Sequence, residues 1–308
     1  MSSVTLLLDA TAIQQLHTHY QSSLQSPVPY SIFRAKRNGV TITAYQSGKV
    51  LFQGALADDE AQQWTHLSKG DSTTTRKNPL TKDSRSQNYS QKVLIGSDEV
   101  GNGSYFGALT VCSVYLAPDQ FPLMQELGVK DSKLLSDHQI RDLAKQIKSC
   151  VTYHLTICPP DKYNAHIDRL NAVGMKVSLH NFTIQKLLEK LDDKEKEELD
   201  GILIDQFTPA ASYLKYVKRE THPYTKDLIF EKKAESLHLS VACASIIARA
   251  AFLESLETLG RPYHTTLPSG AGANVDAFGR RLVAQYGPEA LEKTAKLHFK
   301  NTQKILRT

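Results

Sequence analysis

The 308-residue sequence predicts an α/β protein in two parts. Three observations carry that expectation. Residues 1–67 read as short strands around two helical stretches. Residues 68–90 are polar, with Leu80 as their one large aliphatic. From Gln91 onward, short fully apolar runs alternate with helical ones. The expected division is therefore 1–67, a flexible linker over 68–90, and 91–308; at roughly 150 residues per domain the length agrees.

In the first part, Val4 to Leu8 reads as a strand, and Asp9 is placed to cap a helix with Ile13, Leu16 and Tyr20 on one face. Residues 29–36, 40–46 and 49–54 read as strands joined by turns at Asn38-Gly39 and Ser47-Gly48. Asp58-Asp59-Glu60 places acid at the start of a last helix carrying Ala61, Trp64 and Leu67. Alternation sends Val40, Ile42, Ala44, Val50 and Phe52 to one side of the sheet, against the helices. Thr41, Thr43, Tyr45, Lys49, Leu51 and Gln53, with Tyr30 joining them, form the other, which by itself reads as an ordinary solvated sheet face.

In the second part, Val93-Leu94-Ile95 and Ile202-Leu203-Ile204 are buried-strand runs. Residues 240–252 are rich in Ala and Ser, which suits close packing of a helix on a sheet.

Composition narrows the functional classes. A hydrophobic fraction of 41% with 22% charged residues excludes a disordered chain. No uninterrupted run approaches the ~18 apolar residues of a membrane span. The net charge of +5 and a pI near 8.8 permit a polyanionic partner. Four scattered cysteines without a C-x-x-C pair argue against a zinc site or disulfide framework and fit a reducing cytoplasm. The first Lys or Arg is Arg34, so no basic secretory leader is expected.

The chemistry centres on acids at strand ends. Val93 to Gly103 runs an apolar strand into Asp98 and Glu99, then into Gly101-Asn102-Gly103. Neighbouring strand residues face opposite sides, so both carboxylates can share a site only near a strand end or distortion. Asp205 follows Ile202-Leu203-Ile204 directly, and Glu235 precedes the small-residue helix. If the four converge, they need cations. Two hard divalent ions, Mg²⁺ or Mn²⁺, ~3.5–4 Å apart would neutralise them, one activating water and the other stabilising a leaving 3′ oxygen. The bland alternatives are a surface acidic pair at Asp98-Glu99, a capping Asp205 and a dipole-stabilised Glu235.

The runs GSDEVGNG, VKDSKLLS (Val129 to Ser136), LIDQF, KAESLHLSVACASIIAR, LPSGAG and AKLHFKN, in that order, resemble bacterial ribonuclease HIII. Residues 29–54 resemble the N-terminal domain of that family, similar to TATA-box-binding protein. The resemblance implies a ribonuclease H-like domain, a mixed sheet flanked by helices, that cleaves the RNA strand of RNA–DNA hybrids, leaving 5′-phosphate and 3′-hydroxyl ends. It places metal-binding catalytic acids on Asp98, Glu99, Asp205 and Glu235. It also places hybrid contacts on Gly101, Asn102 and Gly103, on Lys130, Ser132 and Lys133, and, on the N-terminal sheet, on Tyr30, Lys49 and Leu51. A monomer is expected. The rival readings are a ribonuclease HII-like junction nuclease and a non-catalytic hybrid-binding protein. His180 reads as a core or helix-surface histidine. Lys293, Lys296, Lys300, Lys304 and Arg307 read as one face of a C-terminal helix, suited to tracking phosphate.

Overall fold

The computed structural model describes residues 2–28, 31–46, 48–68, 89, 92–129 and 135–307. The chain divides into two compact units, Met1–Ser86 and Gln87–Thr308. Tyr30, Leu80, Lys130, Ser132 and Lys133 lie outside the described residues, as does most of 68–90. Tyr89, assigned from sequence to the linker, is buried against Leu94 and Leu203, and its hydroxyl donates to Glu231 (3.0 Å). It belongs to the second unit.

The first unit is a five-stranded antiparallel sheet. Its strands are β1 (Ser2–Leu7), β2 (Leu24–Gln25), β3 (Ser31–Arg37), β4 (Val40–Tyr45) and β5 (Lys49–Gly54), in the order β1-β5-β4-β3-β2. Asn38 and Gly39 turn β3 into β4 with φ of 50° and 76°, the positive values a two-residue hairpin turn demands. Helix α1 (Ala10–His19) is capped by Asp9, which accepts from the Ala12 N–H at 2.9 Å. Val40, Ile42, Ala44, Val50 and Phe52 are fully buried with Ile13, Leu16 and Tyr20. Helix α2 (Ala57–Gln62) starts with the three acids. Glu60 does more than meet the dipole: it is buried and accepts from the Tyr20 hydroxyl (2.6 Å), which accepts from Trp64 Nε1 (2.9 Å).

The opposite face corrects an expectation. Thr43, Tyr45 and Leu51 are buried, not solvated. Thr43 and Leu51 stand in an inner row, Thr5–Leu51–Thr43–Arg34, where neighbouring strands flank them on both sides. Thr41, Lys49 and Gln53 keep partial exposure.

The second unit is built on β6 (Leu94–Val100), β7 (Leu109–Leu116), β8 (Thr152–Cys158), β9 (Gly201–Asp205) and β10 (Leu228–Glu231), in the order β10-β9-β6-β7-β8. β6, β7 and β8 are antiparallel, whereas β6, β9 and β10 run parallel, so the sheet is mixed. Between β7 and β8 lie α3 (Phe121–Glu126) and α4 (Asp137–Lys148), the latter opened by a reciprocal Ser136–Gln139 cap. α5 (Pro160–Leu188) follows β8 and is broken at Asn171, whose φ of 54° is left-handed. The Asn171 carboxamide oxygen accepts from the N–H groups of Val173 and Gly174, both at 3.0 Å, and so caps the second half. α6 (Asp193–Glu197) precedes β9, α7 (Ala210–Val217) joins β9 to β10, and α8 (Leu239–Gly260) follows.

Ile95, Ile202 and Ile204 pack with Val177, Ile184, Leu187 and Tyr213 of α5 and α7, while Leu94 and Leu203 pack with Val241 of α8. The sheet is thus covered on both faces. Among the described residues one segment, Leu239–Tyr263, is long and apolar enough to cross a membrane, with a mean hydropathy of 1.6 over an 18-residue window, although charges interrupt its runs. With 83% of that window buried inside the unit, it is a core helix.

α9 (Ala273–Tyr286), α10 (Glu289–Thr294) and α11 (Lys300–Leu306) close the chain. The basic stripe expected over 293–307 does not form: α10 ends at Thr294, and Lys296 is fully buried between the helices. Its Nζ donates to the Gly107 carbonyl (2.6 Å) and its N–H to the Tyr105 carbonyl (2.8 Å). Burial holds the Lys296 ammonium down, to a pKa of about 7 from the usual 10.5. At pH values between these two figures the unfolded chain carries the proton and the folded chain does not, so this lysine's contribution to stability rises with pH across that window. In Lys296→Met that rise should flatten, by an amount on the order of a few kcal/mol. Urea denaturation of both proteins between pH 6.5 and 10 checks it; parallel curves would refute it.

Candidate active site

The acids gather where the pairing of two parallel strands ends. The β6–β9 ladder runs to Ser97 opposite Ile204, and the next residues are Asp98 and Asp205. Leu203 and Asp205 share the α8 side of the sheet with Asp98. Glu99 takes the other side, toward α5. Beyond the ladder the two faces meet, which answers the alternation problem the sequence posed. Glu235 arrives on a 3₁₀ turn, Ala234–Ser236, entered through Lys233 in the left-handed region (φ 56°). Asp98, Glu99, Asp205 and Glu235 line one cavity of about 290 Å³, with Ile140 of α4 and Ser245, Ile246 and Arg249 of α8 completing the wall.

Each carboxylate has a distinct environment. Asp98 is 9% exposed, and its Oδ1 accepts the Glu99 N–H at 2.7 Å. Burial, then the charge of Glu99, pushes its carboxyl up to about 8, against a hydrogen bond with Ser245. Burial also raises Asp205, aided by Glu235 and Glu99; the Ala234 N–H, donating to Oδ1 at 2.9 Å, opposes it. Burial works against ionisation of Glu99 too, but His180 and Lys176 outweigh it and hold this carboxyl below its ordinary value.

Lys176 Nζ lies 3.1 Å from Glu99 Oε1, and His180 Nε2 lies 3.1 Å from Oε2. His180 Nδ1 is 2.7 Å from the Ser97 hydroxyl, to which Ser113 donates at 2.9 Å. Nε2 faces a carboxylate oxygen, which only accepts, so Nε2 carries a proton and donates to Glu99. Phe207 backs both side chains: the His180 imidazole stacks on its ring (5.2 Å, 25°), and the Lys176 ammonium sits 4.0 Å from its centroid.

The donor set is all oxygen, which suits Mg²⁺ or Mn²⁺ and not zinc. A partly buried, like-charged group of this kind is stable as anions only beside cations. Among the described residues, no three His, Cys, Asp or Glu side chains are already drawn into a metal-holding cluster. Glu99, turned onto Lys176 and His180, accounts for part of that spacing.

Residues 95–302 match the family model described as ribonuclease HII, and residues 3–77 match a domain of unknown function, DUF3378. The chain is 46% identical to ribonuclease HIII of Enterococcus faecalis, over 95% of this chain and 94% of the relative. The chain belongs to the ribonuclease HII family, in its ribonuclease HIII branch. It is a ribonuclease H enzyme. Against ribonuclease HIII of Bacillus licheniformis the identity is 43%, covering 100% and 98% of the two chains. The crystal structure of Bst-RNase HIII in complex with Mn²⁺ matches with a TM-score of 0.68 and 38% identity, over 99% and 98% of the chains.

The other expected positions fare unevenly. Gly101 has a φ of 97°, and a Cβ there would stand 2.3 Å from the Ala108 carbonyl oxygen, so only glycine fits. Asn102 and Gly103 are exposed in the turn that follows. Sequence reasoning missed Lys176 and Arg249 and undervalued His180. The signal was present in Lys176 and His180, four residues apart on one helix face.

Proposed function

We propose that the chain hydrolyses the RNA strand of RNA–DNA hybrids with two divalent ions, leaving 5′-phosphate and 3′-hydroxyl ends. The observation that carries the reading is the convergence of Asp98, Glu99, Asp205 and Glu235 on one cavity. These four would hold Mg²⁺ or Mn²⁺, which when bound supplies an activated water and charge stabilisation for the leaving oxygen. The chain's own residues do the rest. His180 and Lys176 fix the Glu99 carboxylate, and Ser245 and the Glu99 N–H fix Asp98. Gly101-Asn102-Gly103, beside the acids in sequence, would offer exposed backbone N–H groups to the ribose hydroxyls that distinguish RNA from DNA. Lys130, Ser132 and Lys133 would contact phosphate. Tyr30, Lys49 and Leu51 would serve hybrid contact on the N-terminal sheet; for Leu51 this requires a rearrangement, because it is buried. A monomer working in the cytoplasm completes the proposal.

The test is direct. With Mn²⁺ or Mg²⁺, a labelled RNA–DNA hybrid should be cut in its RNA strand, and the products should accept 3′ extension. No product at any metal concentration would defeat the reading.

A further inference from the structure

Glu99 holds two nitrogen partners, one on each oxygen. Lys176 is 6% exposed and His180 fully buried, so neither is a passing surface contact. Phe207 holds the ammonium from behind, and a buried cation over an aromatic face is held by both charge and packing. We propose that Lys176 is a built-in counter-ion for Glu99 that competes with divalent metal for this carboxylate and so sets the protein's metal affinity, with His180 fixing the carboxylate's orientation. This inference rests on the metal-dependent reading above.

The physics gives opposite signs for binding and for rate. A unit positive charge near the metal site repels a divalent ion, and in a partly buried setting that repulsion is worth more than a factor of ten before screening. Removing it favours metal. The same removal frees Glu99 from one of its two anchors, and a misplaced ligand slows the reaction. A residue with a merely structural role would lower both affinity and rate together.

Lys176→Met removes the charge and keeps the length of the side chain. Titration of the nucleic-acid-free protein with Mn²⁺, followed by electron paramagnetic resonance of the free ion, should show about tenfold tighter binding than wild type. At saturating Mn²⁺, kcat on the hybrid should fall about tenfold, and Lys176→Arg should restore both quantities toward wild type. Unchanged or weaker Mn²⁺ binding in a folded Lys176→Met protein overturns the proposal. If that variant does not fold, Phe207→Leu loosens the ammonium while keeping its charge. Mn²⁺ binding should then tighten about two- to threefold, and no change overturns the proposal. A wild type that binds Mn²⁺ but cuts no hybrid sinks the functional reading and leaves the counter-ion measurable. A wild type that cuts, with Mn²⁺ affinity indifferent to Lys176, sinks the counter-ion alone.

Discussion

Asp98→Asn should abolish hybrid cleavage, lowering the single-turnover rate by about a thousandfold or more, while hybrid affinity stays within about threefold of wild type. Asparagine keeps the shape of the side chain and an oxygen to accept the Glu99 N–H, which Asp98 Oδ1 holds at 2.7 Å. What it cannot supply is a negative charge. Burial and the neighbouring Glu99 push the Asp98 carboxyl up to about 8, so its ionisation depends on a cation. Its loss should therefore fall on the chemical step. Phosphate contacts spread over other residues should still hold the duplex, and removing one carboxylate from the cavity eases repulsion of the backbone. Rapid-quench cleavage and fluorescence anisotropy on the same preparation separate the two quantities. Cleavage at the wild-type rate would remove Asp98 from the catalytic set.

Much of this site was legible because its signals are local. An acid directly after an apolar triplet found Asp205, and an acid pair two residues past another such triplet found Asp98 and Glu99, without knowledge of which strands pair. The hairpin of the N-terminal unit was legible for the same reason: Asn38-Gly39 encodes its turn in two residues. What escaped depends on contacts distant in sequence. Lys176 and His180 lie more than 70 residues from Glu99 and meet it only because α5 lies on the sheet face opposite α8. The break at Asn171 starts their half of α5 afresh, and a helical periodicity counted across it carries no phase. Lys296 failed in the opposite way. Its spacing from Lys293 and Lys300 is helical, but the segment between α10 and α11 is extended at Ala295. Ala295 forms an isolated bridge with Phe106 there, so tertiary pairing overrode local propensity. Thr43 and Leu51 were placed on the correct side of their strands; alternation gives a side chain's direction and is silent on what flanks it.

Gly96→Val should destabilise the second unit by more than about 4 kcal/mol and, through the same displacement, strip the cavity of its α8 wall. Gly96 sits in mid-strand on the α8 side of β6. A Cβ there would stand 2.2 Å from the Val241 nitrogen, 2.4 Å from the Ser240 carbonyl carbon and 2.5 Å from Ser240 Oγ. Two of these are backbone atoms in the first turn of α8, and they cannot rotate away. The turn is itself pinned: His238 Nδ1 accepts from the Ser240 N–H (3.2 Å) and lies 2.7 Å from the Ser240 hydroxyl. A side chain at 96 must therefore lift the helix as a body. Ser245 and Arg249 ride on that helix and face Asp98 across the cavity, so stability and activity should fall together. Gly96→Ala, with one methyl, should already lower the melting temperature by several degrees. Gly103→Ala is the matched control, because its Cβ would meet nothing within 4 Å, and its stability should stay within about 0.5 kcal/mol of wild type. Thermal melts of the three variants decide the matter. A Gly96→Ala protein as stable as Gly103→Ala would mean that α8 does not depend on this close approach to β6.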